Sequence, residues 1–198
     1  MRVIAGRWRG LKLKAPADDS LRPSSDRLRE TLFNILAHNP RYPAVAGARF
    51  ADIFAGTGAV GIEALSRGAA HVTFVESHPR HLRLLESNLA RLRGLEKHQA
   101  VSLLRSDARQ LPPARRPHDI LYLDPPYGAG LIPPTLTALA AAGWVTPASL
   151  VIAETDGRED LRCPDGWQQL AHRRCGRAAL HFLRWTTGPS CDSPSEGA

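Results

Sequence analysis

Four carboxylates carry the first chemical signal: Asp52, Glu76, Asp107 and Asp124 each stand near the point where a strand would give way to a loop. Asp52 opens the stretch Asp52-Ile53-Phe54-Ala55-Gly56-Thr57-Gly58-Ala59-Val60-Gly61, a GxGxxG pattern. Glycines there permit a tight turn and let a ligand approach the backbone. The pattern alone fits NAD or FAD, or a turn with no ligand. Asp52 changes the balance, because a carboxylate at that position repels a pyrophosphate. It attracts a ligand with an ammonium and a sulfonium, which is the charge pattern of S-adenosylmethionine. Glu76 follows 24 residues later, at the spacing of an acid that accepts hydrogen bonds from both ribose hydroxyls. Asp107 is placed to accept from an adenine amino group. Each acid alone has a plain structural explanation, as a solvated turn residue or, in Ser106-Asp107-Ala108, a helix cap. Three at successive strand ends make a nucleoside site the simpler explanation. The cofactor candidates are Asp52, Ala55, Gly56, Thr57, Gly58, Glu76, Ser77, Asp107 and Ala108.

The fourth acid begins Asp124-Pro125-Pro126-Tyr127. By itself this is a stiff turn, since proline fixes φ and removes an N–H donor. Beside a sulfonium cofactor it has a chemistry. The lone pair of an aromatic amine is delocalised into its ring, so the nitrogen is a poor nucleophile. Asp124 Oδ and the Pro125 carbonyl can accept from its two N–H groups, favour a pyramidal nitrogen and stabilise the positive charge that develops on it. The prolines, Pro125 and Pro126, fix the direction of that carbonyl, and Tyr127 can stack on an extruded base. Holding methyl and nitrogen in line is the other large contribution. No separate base and no metal is required.

The elements that must position these residues follow from periodicity. A chain of 198 residues suffices for one α/β domain. Strands are expected at 49–54, 71–76, 100–105, 119–123 and 150–154, with a closing antiparallel pair at 167–174 and 178–185. Helices are expected at 25–38 (capped by Ser25), 58–67, 78–93 (with Gly94 as C-cap) and 133–142. The stripe Leu82, Leu85, Leu89 and Leu92 reads as core packing. This alternation predicts a Rossmann-like α/β fold, a mostly parallel sheet with ligands at the carboxyl ends of its strands. Residues 1–14 read as a small basic β-hairpin and 18–23 as a loop. The division is an N-terminal appendage (1–44), a catalytic domain (45–185) and a disordered tail (186–198).

The net charge of +7 points to an acidic partner, nucleic acid first. Residues 1–14 carry Arg2, Arg7, Arg9, Lys12 and Lys14 and no acid. The N-terminus lacks an apolar signal core and no apolar run reaches the length of a membrane span, so a cytoplasmic protein without membrane contact is expected. Cys163, Cys175 and Cys191 show no ligand spacing and read as reduced thiols. No assembly motif is visible, and a monomer is expected.

These residues resemble the bacterial 16S ribosomal RNA guanine-N2 methyltransferases of the RsmD type, over about residues 2–185. The resemblance rests on Arg2-Val3-Ile4-Ala5-Gly6-Arg7-Trp8-Arg9-Gly10, on the run from Leu21 to Leu36, on Asp52 to Ala69, on Val75-Glu76 and on the Asp124 tetrapeptide. The glycine loop and tetrapeptide are common to many amino methyltransferases; the two N-terminal segments are the specific ones. The resemblance implies a seven-stranded sheet, S-adenosylmethionine as methyl donor and one guanine of small-subunit RNA, free or within the subunit, as acceptor. It implies an N-terminal hairpin that helps hold RNA and a 22–30 segment over the pocket, so Arg7, Trp8, Arg9, Lys12, Arg22 and Arg27 are the candidate RNA contacts. For Trp8, anchoring the hairpin is an equal alternative. Where the family carries an acid two residues after the ribose-binding Glu, this chain has His78. The rival readings are an adenine-N6 methyltransferase on DNA or RNA, a nicotinamide oxidoreductase using the glycine loop, and a non-catalytic RNA-binding module.

Overall fold

Runs rich in Val, Ile, Leu and Phe become the strands of the computed structural model, which describes residues 1–15, 26–94 and 99–186. The strands are β1 (Arg49–Ile53), β2 (His71–Glu76), β3 (Ala100–Arg105), β4 (Ile120–Leu123), β5 (Leu150–Asp156), β6 (Trp167–Cys175) and β7 (Ala178–Trp185). The helices are α1 (Asp26–His38), α2 (Ala59–Ser66), α3 (Pro79–Leu89) and α4 (Ile132–Ala141). One seven-stranded sheet runs in the order β3-β2-β1-β4-β5-β7-β6. Neighbours from β3 to β5 are parallel; β7 lies antiparallel between β5 and β6. The strand order reverses between β1 and β4, where a ligand crevice forms in sheets of this kind.

Alternation along the strands divides the core into two layers. Phe50, Phe74, Ile120, Ile152 and Phe182 pack with Leu32 and Phe33 of α1, Ile62 and Leu65 of α2, and Leu85 of α3. Ala51, Ile53, Leu121 and Val151 face the other way, onto Leu136 and Leu139 of α4 and onto Trp144. Strands covered on both sides read as continuous apolar runs, as β4 does with all four residues buried. By the same alternation Asp52, Glu76, Tyr122 and Glu154 share the face covered by α1 and α2.

The N-terminal segment forms a minimal version of the expected hairpin. Around one antiparallel bridge, Arg2 to Lys12, Val3 donates to the Leu11 carbonyl at 3.0 Å and Leu13 to the Met1 carbonyl at 3.2 Å. The N–H groups of the stretch between the two arms are turned onto α2. Ile4 and Ala5 donate to the Glu63 carboxylate at 2.7 and 3.0 Å, Arg7 to the Ser66 carbonyl at 2.8 Å and Trp8 to Ser66 Oγ at 3.0 Å. Gly6 meets α2 so closely that a Cβ would lie 1.9 Å from the Ser66 carbonyl oxygen. Further along, α3 stops at Leu89, because Arg91 and Leu92 bond three residues back to Asn88 and Leu89 and tighten the chain out of the α-helix. β5 extends to Asp156, where β7 pairs with it. The expected 18–23 loop, the Ser25 cap, Arg22, Cys191 and the tail from 187 lie outside the described residues.

Candidate active site

A cavity of about 1050 Å³ opens at the carboxyl ends of β1, β2, β4 and β5. That is generous for one small ligand and leaves room for a nucleoside and a second planar group. Asp52, Glu76, Asp107 and the whole Asp124–Tyr127 tetrapeptide line it, as do Ala55, Gly56, Thr57, Ser77 and Ala108. Gly58 shapes the loop from behind. Its φ of 78° needs glycine, and a Cβ there would run into Leu85 Cδ1 at 2.2 Å. Gly61 serves packing, since a Cβ would meet the Phe74 ring at 2.3 Å. Phe54 enters the loop with φ of 68°, a conformation few side chains adopt.

The acids differ in environment. Asp52 is buried and accepts the Gly61 N–H at 2.8 Å. Burial pushes its carboxyl up to about 8; the Gly61 N–H and the Arg29 charge oppose that rise, and the neighbouring Glu76 adds to it. Glu76 closes the loop: Oε2 accepts from Gly56 N at 2.8 Å and Oε1 from His78 N at 2.7 Å. His78, standing where the resembling family has an acid, caps α3 by accepting from Arg80 N at 3.3 Å. Asp107 is already engaged. Arg109 donates to it from its backbone at 2.9 Å and from its guanidinium at 2.7 Å, and this partner holds the carboxyl down to about 2. An adenine amine there would share Asp107 with Arg109.

On the other side of the switch point, Pro125 is buried and Asp124 and Tyr127 are half-buried. The Tyr127 hydroxyl donates to Glu154 Oε1 at 2.7 Å, and the Tyr122 hydroxyl donates to Glu154 Oε2. Burial, then the Glu154 charge, raises the Tyr122 phenol well above its ordinary value, so it stays a donor. Glu154 is 3% exposed and was not among the residues singled out from sequence, although it too is an acid near the end of a strand.

The RNA candidates separate. Arg27 stands at the cavity mouth. Arg7, Trp8 and Arg9 lie at the far ends of α2 and α3, with Trp8 Nε1 donating to the Arg93 carbonyl at 3.0 Å and Arg7 beside the Trp8 ring. Lys12 is exposed on the same segment.

A family profile described as Conserved hypothetical protein 95 matches residues 1–184. The chain is 38% identical over 189 residues to ribosomal RNA small subunit methyltransferase D of Escherichia coli, covering 93% of this chain and 89% of that one. It is 36% identical over 178 residues to the protein of the same name from Haemophilus influenzae, covering 89% of each. The solved Escherichia coli protein yhhF superimposes with a TM-score of 0.77 at 33% identity, over 95% of this chain and 99% of that one.

Proposed function

The chain belongs to the Conserved hypothetical protein 95 family, that of the ribosomal RNA small subunit methyltransferases D, and on that premise we propose that it moves a methyl group from S-adenosylmethionine to the exocyclic N2 amine of one guanine in 16S ribosomal RNA. The observation that carries this reading is the division of one cavity. Buried acids on β1 and β2 form one half, and the Asp124 tetrapeptide with its rigid carbonyl forms the other, directly across the β1–β4 pairing.

The residues fit a cationic nucleoside. Burial raises the Asp52 carboxyl to about 8, and an ammonium group beside it favours its ionised form. Glu76 keeps acceptor capacity for ribose hydroxyls beyond the two N–H groups it binds. The bound cofactor supplies an electrophilic methyl on sulfonium. Asp124 and the Pro125 carbonyl hold the two amine hydrogens of the acceptor, fixing the nitrogen lone pair and stabilising its developing charge. Tyr127, steadied by Glu154, offers a flat face to the base. Arg7, Arg9 and Lys12 then serve RNA at a distance from the target nucleotide. The enzyme acts in the cytoplasm, on free rRNA or on the small subunit.

The test uses labelled S-adenosylmethionine and small-subunit particles lacking the modification, with nucleoside analysis of the digested RNA. Label is expected in N2-methylguanosine and is lost with Asp124→Ala. Label in N6-methyladenosine would overturn the choice of base. Cofactor binding without labelling of particles or free rRNA would overturn the choice of substrate.

A further inference from the structure

The β6–β7 turn, Cys175 to Ala178, stands at the same end of the sheet as the tetrapeptide, because β7 starts opposite Asp156, two residues past Glu154. Arg174 and Arg177 flank this turn, are exposed and line the cavity mouth. Gly176 at its tip has φ of 68° and open space around it. The turn is held from below: Gly157 N donates to the Arg177 carbonyl at 2.6 Å, and Gly157 lies against the Arg174 guanidinium. Arg27 of α1 lines the same cavity. Half-buried Cys175 lies within electrostatic reach of both Arg27 and Glu154, so helix, turn and β5 converge on one rim.

Charge is sorted along this rim. The cofactor half of the cavity is acidic, and the guanidiniums nearest it are paired, Arg109 with Asp107 and Arg29 with Asp26. The acceptor half carries Arg27, Arg174 and Arg177, and none of these takes part in an ion pair among the described residues. Three unpaired guanidiniums beside the place where a base must enter match a phosphodiester chain, since guanidinium binds phosphate oxygens through two parallel N–H bonds. A base drawn out of its stack needs its backbone held on both sides, and that holding repays part of the unstacking cost.

We propose that Arg174 and Arg177 of the β6–β7 turn, together with Arg27 on α1, grip the RNA phosphates that flank the extruded nucleotide. The inference rests on the reading that an RNA base is the methyl acceptor. The grip concerns the strand next to the target, whereas Arg7 and Trp8 of the N-terminal segment are anchored at the far ends of α2 and α3.

Binding of protein-free small-subunit rRNA is measured across a salt series for the wild type, for Arg174→Ala with Arg177→Ala, and for the corresponding double Lys variant. A distant pair, Arg115→Ala with Arg116→Ala, removes the same charge at the opposite end of β4. Each lost phosphate contact flattens the log–log salt slope by about 0.9 (the duplex value) or about 0.7 (the single-strand value). The rim double Ala variant is expected to bind RNA about tenfold more weakly, with a slope reduced by about 1–2. Its KM for RNA rises while kcat and cofactor affinity hold. The Lys variant restores most of the slope, and the distant pair leaves it unchanged. An unchanged slope and KM in the rim variant, with wild-type methylation of rRNA intact, would overturn the grip and leave the proposed function standing. A defect seen only on protein-containing particles would assign the rim to a protein surface and overturn it as well. Failure of the wild type to bind or methylate any RNA would remove the reading beneath it.

Discussion

Glu154 joins the tetrapeptide to the sheet beneath it. Its two oxygens accept from Tyr122, which is fixed within β4, and from Tyr127, which follows the prolines. The ring of Tyr127 therefore inherits the rigidity of the sheet. Glu154→Gln keeps the shape and loses a charge-assisted acceptor. It is expected to lower kcat about tenfold, about 1.4 kcal/mol, with cofactor affinity unchanged. Tyr127→Phe should do much the same, and the double variant should cost little more than either alone. Additive losses in that cycle would show that the two residues act separately. The presence of Glu76 and Asp124 at the cavity was legible because each acid closes an apolar run, and that of Asp52 because it stands just before the glycine loop. Glu154 has the same signature, yet its role depends on the register that sets Tyr122 beside Ile152, and strand pairing is not written in local sequence. The capture of Asp107 by Arg109, two residues on, depended on the turn between them in the same way.

At the scale of elements, the strands and helices of the sheet domain were readable because their apolar periods are long and regular. The N-terminal hairpin was legible in outline, with its pairing confined to the arms at 1–3 and 11–13. What local sequence does not show is the docking of the stretch between the arms on α2, where the Glu63 carboxylate and Ser66, 58 or more residues away, take the N–H groups of Ile4, Ala5 and Trp8. The closeness of that docking gives a sharp expectation. Gly6→Ala combines a left-handed φ of 79° with a collision against the Ser66 carbonyl, and should cost about 2–3 kcal/mol. That would lower Tm by roughly 5–10 °C. Gly10→Ala, with a similar φ of 85° and nothing nearby, should cost only the backbone strain, about 1 kcal/mol. Equal Tm losses from the two substitutions would mean that the segment is not clamped on α2.

For the whole molecule, the buried Asp52 carboxyl links folding to pH. Its value in the folded protein, about 8, lies above the ordinary carboxylate value of 3.8. The contribution of this group to stability is therefore full below about pH 4 and is lost as pH rises through 8. A ligand that places a cation beside Asp52 favours the ionised form and reverses the trend. S-adenosylmethionine should raise Tm more at about pH 8.5 than at about pH 6, with proton release on binding between those values. Asp52→Asn should abolish that difference. An equal Tm rise at both pH values in the wild type would show that Asp52 does not sense the ligand's charge.

The insertion of β7 between β5 and β6 also bears on how the protein is made. A chain growing from its N-terminus completes β6 before its sheet partner exists, and β5 waits with an unsatisfied edge beside Val151 and Ile152. Both gaps close in one event, when Leu180, Phe182 and Leu183 arrive and bury themselves. Until then the nascent chain offers a bare apolar strand edge of the kind that templates aggregation, so the last of the described strands is also the one that seals the sheet.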